Sequence, residues 1–296
     1  MKIETLTRKL RTELSALLPG YEITERPAAD TPKKKACLCI GRPDEPAAMM
    51  IYPADYAARI VSDADVRELA RMIADREDTI REMNEVVSRG DLSDSEKLDA
   101  VPAFPGMDLT GVPHYSVPGT DISLIVRLVL GRAKDAELSY LVTDAQLELF
   151  DTGAQEVLKK AMANTLAGSG FSVTPLSDRF AELCGDDSFA EMIRDADAPH
   201  ALWLITNRNA FNGAAAIAYP EILQEAHRKI GEDFYILPSS RHELLALGAS
   251  CICASMTEAD LTGLVRMVNR TQVEERDRLS DAVFYCDGKT LRMIEA

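Results

Sequence analysis

The apolar positions of this 296-residue chain recur with two different periods, and the switches between them mark its elements. Ile3, Leu6, Leu10, Leu14 and Leu17 follow one another at steps of three and four, which predicts an amphipathic helix over 3–18. Gly20 stands where a helix end belongs. Val66, Leu69, Ile73, Ile80, Met83 and Val87 predict a long helix over 63–88. Ser62 is its N-cap and Asp65 completes a capping-box-like start, while Arg76 interrupts the stripe. Short branched runs predict strands at Tyr21–Arg26, Ala36–Ile40 and Met49–Tyr52, with a basic exposed loop, T-P-K-K-K, over 31–35.

Periodicity then stops. Pro102, Pro105, Pro113 and Pro118, with Gly106, Gly111 and Gly119, exclude long regular elements. The division expected is an N-terminal helix–strand–long-helix region over 1–100, a linker over 101–120 and an α+β domain over 121–296. That domain opens with a hairpin, Ile122–Leu130 and Leu138–Thr143. Helices follow near Gln146–Phe150 and Ala154–Leu166, then a strand at Phe171–Thr174 and a helix from Ser177 to Asp195. Strands are expected at Leu202–Thr206, Ala214–Ala218 and Phe234–Leu237. Pro220 opens a helix that stops at Gly231, and Thr257 with Asp260 opens another over Glu258–Val268. Asp287-Gly288 turns a terminal hairpin between Val283–Cys286 and Leu291–Ile294.

Part of this order echoes itself. Thr206 follows Thr143 by 63 positions, and the same step joins Leu141 to Leu204, Gly168 to Gly231, Phe171 to Phe234, Pro175 to Pro238 and Ser177 to Ser240. The echo suggests an internal duplication of 138–185 in 201–248. The fold class expected is α+β: a mixed sheet built from two similar strand–helix–strand modules with flanking helices, plus a helical N-terminal region.

Composition narrows the function classes. A formal net charge of -15 opposes binding to nucleic acid or to an anionic membrane, both of which need positive charge beside phosphates. No apolar run approaches the ~20 residues of a bilayer span, and the mixed-charge N-terminus lacks the apolar core of a signal peptide, so a cytoplasmic location is expected. Two C-x-C pairs, Cys37/Cys39 and Cys251/Cys253, have the residue types for a four-thiolate zinc site. Both lie in apolar surroundings, where a reduced cysteine acts as a small buried hydrophobe. No H-E-x-x-H, G-x-G-x-x-G, G-x-S-x-G or phosphate-binding G-K-[ST] motif occurs, and no cofactor is implied.

The densest polar grouping lies between residues 201 and 287. Asn207, Asn209 and Asn212 follow a strand beside Gly213; such a loop can hold a polar ligand or satisfy its own backbone. Ser239, Ser240, His242 and Glu243 supply the residue types of a nucleophile, a base and an orienting acid. The spacing is poor for that purpose, because Glu243 points away from a face that Ser240 and His242 would share on a strand. Ser240-Arg241-His242-Glu243 also fits the capping box S-x-x-E.

The runs T-N-R-N-A-F-N-G-A-A-A-I-A-Y-P, D-F-Y-I-L-P-S-S-R-H-E-L-L, V-N-R-T-Q-V and R-L-S-D-A-V-F-Y-C-D resemble an uncharacterised family of bacterial proteins. The resemblance extends to S-Y-L-V-T-D-A-Q-L-E-L-F and to I-Y-P-A-D-Y, and so to the whole length of the chain. After His242-Glu243 the chain departs from the pattern, with L-L-A-L-G-A-S-C-I-C-A in place of a charged, proline-containing stretch. The resemblance implies kinship of fold and no activity. The reading favoured is therefore a non-catalytic binding or interaction protein, with a protein or a small polar ligand as its partner. The alternative is a hydrolase or transferase that uses Ser239 or Ser240 with His242 and Glu243.

Overall fold

The computed structural model describes residues 1–27, 36–45, 48–89, 92–133, 136–179, 202–253 and 256–294. The chain divides into two compact units, one of Met1–Asp94 with Leu128–Tyr140 and one of Ser95–Arg127 with Leu141–Ala296. The basic loop at 31–35, Cys184, His200 and the end of the first echoed module lie outside the described residues.

In the first unit, helix α1 (Ile3–Leu17) turns Leu6, Leu10 and Leu14 fully inward. Each such leucine contributes about 1.5–3 kcal/mol by leaving water. Strands β1 (Glu22–Pro27), β2 (Ala36–Gly41) and β3 (Met49–Ile51) form an antiparallel sheet in that order. Ile23 lies opposite Ile40 and Leu38 opposite Ile51, so one face of the sheet joins the core with α1. The short helix α2 (Pro53–Tyr56) precedes the stretch expected as one long helix, which is two: α3 (Asp63–Ala74) and α4 (Glu77–Arg89). The break falls at Asp75-Arg76, where the apolar stripe is interrupted and the Arg76 N–H reaches back only to Ile73. Ser62 and Asp65 form the reciprocal capping box that starts α3.

The second unit holds β4 (Leu98–Pro102) and β5 (His114–Ser116), so the Pro- and Gly-rich stretch contains strand as well as turn. Both pair with β6 (Ser123–Ala133), which begins in this unit and ends in the first; β7 (Ala136–Leu141) pairs β6 as well. Helix α5 (Ala154–Ser169) ends at Gly170, whose φ of 58° is left-handed, and leads into β8 (Ser172–Pro175). Strand β9 (Leu202–Thr206), helix α6 (Pro220–Ile230), strands β10 (Phe234–Ser240) and β11 (Glu243–Gly248), helix α7 (Glu258–Thr271) and strands β12 (Phe284–Cys286) and β13 (Leu291–Met293) complete it. The main sheet has six strands in the order β13-β12-β10-β11-β9-β8.

The fold is α+β, as expected, but every pairing in this sheet is antiparallel rather than mixed. The echoed modules explain the difference. Their closing strands, β8 and β10, both lie in the six-stranded sheet, whereas of their opening strands only β9 does, between β8 and β11; β7 pairs β6 in a different sheet. The hairpin of β10 and β11 inserts a strand that reverses direction within the second module.

β10 is buried over Phe234–Pro238, with layers on both faces, which accounts for its unbroken apolar run. Tyr235 and Leu237 meet Leu261 and Val265 of α7. Ala214–Ala218, expected as a strand, belong instead to a buried 3-10 turn, Gly213–Ala218. Four alanines and Gly213 allow its backbone to pack closely on β9 and β11, a role that strand geometry with larger side chains would not fill. The outer edge of β8 is protected by Lys229, whose ammonium donates to the Val173 carbonyl at 2.7 Å.

Candidate functional site

The sequence-selected residues come together where the end of β9 meets the β10–β11 turn. Leu244 of β11 lies opposite Ile205 of β9, so the residues that follow β9 run beside the turn that precedes β11. The pairing of β10 with β11 shifts between Pro238 and Ser240, a bulge that re-aims Ser239 before Ser240 pairs with Glu243. Arg241 and His242 form the two-residue turn. The capping box expected at Ser240–Glu243 is not formed, because strand and not helix follows. The Ser240 hydroxyl instead accepts the His242 N–H two residues on, at 3.1 Å, in a local side-chain turn.

His242 is tied on three sides. Its Nδ1 accepts the Asn212 backbone N–H at 3.1 Å, which requires that nitrogen to be unprotonated. The proton therefore sits on Nε2, which faces Asp277 Oδ1 at 3.3 Å. The ring stacks on Phe211 with centroids 5.1 Å apart and planes at 25°. The His242 carbonyl accepts the Thr206 hydroxyl at 2.8 Å. Neither serine hydroxyl bonds to the ring among the described residues: Ser240 accepts from backbone, and Ser239 reaches Glu243 Oε1 at 3.4 Å.

Arg241, at 8% exposure, anchors the turn from the opposite direction. Its guanidinium donates to the Pro102 carbonyl through Nε at 3.1 Å and Nη2 at 2.6 Å, and lies 4.0 Å over the Phe104 ring. Its own N–H donates to the Asp277 carbonyl at 2.7 Å, and its carbonyl accepts from Ala214. The β10–β11 turn is thus fixed to β4, to the 213–218 turn and to the segment that ends at Asp277.

The asparagine loop is held as firmly. Asn207 closes it from within: its Nδ2 donates to the Phe211 carbonyl at 2.8 Å and its Oδ1 accepts the Phe211 N–H at 3.2 Å. Ala210 and Asn212 both adopt left-handed backbone, at φ 48° and 55°. That conformation costs an alanine about 1 kcal/mol and an asparagine less. A Cβ on Gly213 would fall 2.5 Å from both the His242 carbonyl and the Thr206 hydroxyl, so only glycine fits there. Asn209 is exposed at the tip, and Phe211 leaves 44% of its surface in water. Of the sequence-selected residues, Asn207, Asn212, Ser240 and His242 are joined in one network; Asn209 and the Ser239–Glu243 pair lie outside it.

A family model matches residues 106–287, well over half of the chain. The chain belongs to the family of unknown function DUF5688. Searches of the curated proteins and of the solved structures found no match. The DUF5688 match includes the asparagine loop, the β10–β11 turn and Asp277, and it includes Pro102's neighbours only from residue 106 onward. Of the two C-x-C pairs, Cys251/Cys253 falls within it and Cys37/Cys39 does not. Cys37 is buried and Cys39 half-buried in β2; Cys251 is buried in a 3-10 turn, where desolvation raises its thiol pKa, and Cys253 is exposed. Among the described residues no three His, Cys, Asp or Glu side chains are grouped to hold a metal ion, and no helix is long and apolar enough to cross a membrane.

Three contributors to this site carry no sequence motif. Arg241 is the variable position of an S-x-x-E pattern, Asp277 lies 35 residues from His242, and Phe211 reads as one apolar residue among asparagines. Only Phe211 gave a signal, since a large aromatic in a polar loop needs either burial or a partner.

Proposed function

We propose that this DUF5688 protein is a non-catalytic interaction protein that presents Phe211 and Asn209 to a protein partner. One observation carries the reading: both ring nitrogens of His242 are engaged, and the ring serves as the platform on which Phe211 stacks. A general base needs an accepting nitrogen within reach of the proton it takes. Here that nitrogen holds the Asn212 amide. An exposed aromatic on a loop already clamped by Asn207 loses little conformational entropy on binding, which is the economy of an interface anchor. Two left-handed residues beside it add backbone strain of the kind that accumulates at functional loops.

Two measurements test this. Imidazole nitrogen shifts should report the Nε2–H tautomer for His242, and His242→Ala should lower stability by about 2 kcal/mol through one lost amide bond and the lost ring contact. Phe211→Ala should leave the melting temperature nearly unchanged while abolishing retention of a partner identified by mass spectrometry after co-purification. Covalent labelling of Ser239 or Ser240 by a serine-directed phosphonate, dependent on His242, would overturn the reading in favour of a hydrolase or transferase.

A further inference from the structure

The first unit carries a separate polar groove of about 240 Å3 on the face of the β1–β2 pair turned away from the core. Glu22, Thr24 and Arg26 alternate along β1 and so project to one side. Thr24 lies opposite Cys39, which together floor the groove, and Glu22 lies opposite Gly41, where the missing side chain leaves room.

One wall is rigid. Arg42 faces Glu77 at 3.4 Å and Glu45 at 3.7 Å, and its guanidinium sits 4.7 Å over the Tyr21 ring. Asn84 donates to Glu45 at 2.7 Å. These charges satisfy one another. Those on β1 do not: among the described residues Glu22, Thr24 and Arg26 make no side-chain hydrogen bond or ion pair. The groove therefore has an uncommitted carboxylate at one end, an uncommitted guanidinium at the other and a hydroxyl between them.

We infer that this groove binds a small zwitterion of dipeptide size, its ammonium toward Glu22 and its carboxylate toward Arg26. The dimensions agree. Four residues of strand separate the two backbones by ~13 Å, and two extended residues span ~7 Å, which leaves a few ångströms at each end for the Glu22 and Arg26 side chains to bridge. A guanidinium grips a carboxylate in a paired, directional way that a lysine does not match. A singly charged ligand would leave one end of the groove with its charge unanswered, so both termini are needed. The inference is independent of the role given above to the Phe211 loop.

Titration calorimetry of the full chain with the free dipeptide Ala-Ala tests it. Saturable binding is expected. The same dipeptide with both termini capped should bind at least tenfold more weakly, and Arg26→Gln and Glu22→Gln should each weaken the free dipeptide about tenfold. Because both side chains are exposed, the two variants should melt as the parent does. Absence of binding at millimolar Ala-Ala, equal binding of the capped form, or full affinity in either variant would overturn the inference.

Discussion

Gly213→Ala is the sharpest probe of how the candidate site is built, because two physical effects predict opposite signs. Gly213 does not use left-handed backbone, so the loss of chain freedom in the unfolded state would by itself make alanine stabilising by ~0.4–1 kcal/mol. The folded structure opposes this. The new Cβ would lie 2.5 Å from the His242 carbonyl oxygen, 2.5 Å from the Thr206 hydroxyl and 2.8 Å from the Asn207 amide nitrogen. Two of the three are backbone atoms, which cannot rotate away. Overpacking of this kind costs ~1–3 kcal/mol, and displacement of Thr206 adds the ~1 kcal/mol of its bond to the His242 carbonyl. Sterics should win, with a net destabilisation of about 2–3 kcal/mol. Trp203, the single tryptophan, lies on β9 three residues before Thr206 and reports on this unit. Urea unfolding followed by its fluorescence should show a midpoint lower by roughly 1 M at unchanged slope. Gly168→Ala supplies the control. Its Cβ would meet nothing within 4 Å, in a helix, so stability should rise by ~0.5–1 kcal/mol. A Gly213→Ala protein as stable as the parent would refute the close packing of the loop against the β10–β11 turn.

Arg241→Lys should destabilise by about 2 kcal/mol in the same urea assay, since lysine keeps the charge but loses the paired donation to Pro102 and the stacking on Phe104; a neutral result would mean that the guanidinium geometry contributes nothing. Asp233 accepts the Tyr285 hydroxyl and faces the His227 ring at 3.0 Å, and these partners, the tyrosine first, hold its carboxyl below the usual range. A depressed folded pKa gives stability that is complete above the unfolded value near 4 and is lost as pH falls through the lower folded value. Asp233→Asn should therefore flatten the acid side of the stability–pH curve below about pH 4, and an unaltered curve would remove Asp233 from the acid response.

Local chemistry alone placed most elements of this protein. The stripe from Leu6 to Leu14, the capping pairs Ser62/Asp65 and Thr257/Asp260, the stop at Gly231 and the turn at Asp287-Gly288 each act within one or two helical turns or one hairpin, and each appears where the sequence puts it. Four readings needed the third dimension. Arg76 weakened a helical stripe, but only packing decided that the helix breaks there. Residues 213–218 had strand-like composition and became a 3-10 turn because Gly213 is pressed against the His242 carbonyl. Ser240 and Glu243 had capping-box spacing and became a hairpin closure because Leu244 and Ala246 pair with β9. The sheet, expected to be mixed from an echo of residue types in the sequence, is antiparallel because strand order is set by pairings between distant segments. The same holds for the site. The sequence selected Asn207, Asn212, Ser240 and His242 by residue type, yet the proton position on His242 depends on an amide 30 residues away and a carboxylate 35 residues away. Residue identity determines what chemistry a side chain can offer; its partners, which only tertiary structure supplies, determine whether that chemistry is free to act or is spent on holding a loop in place.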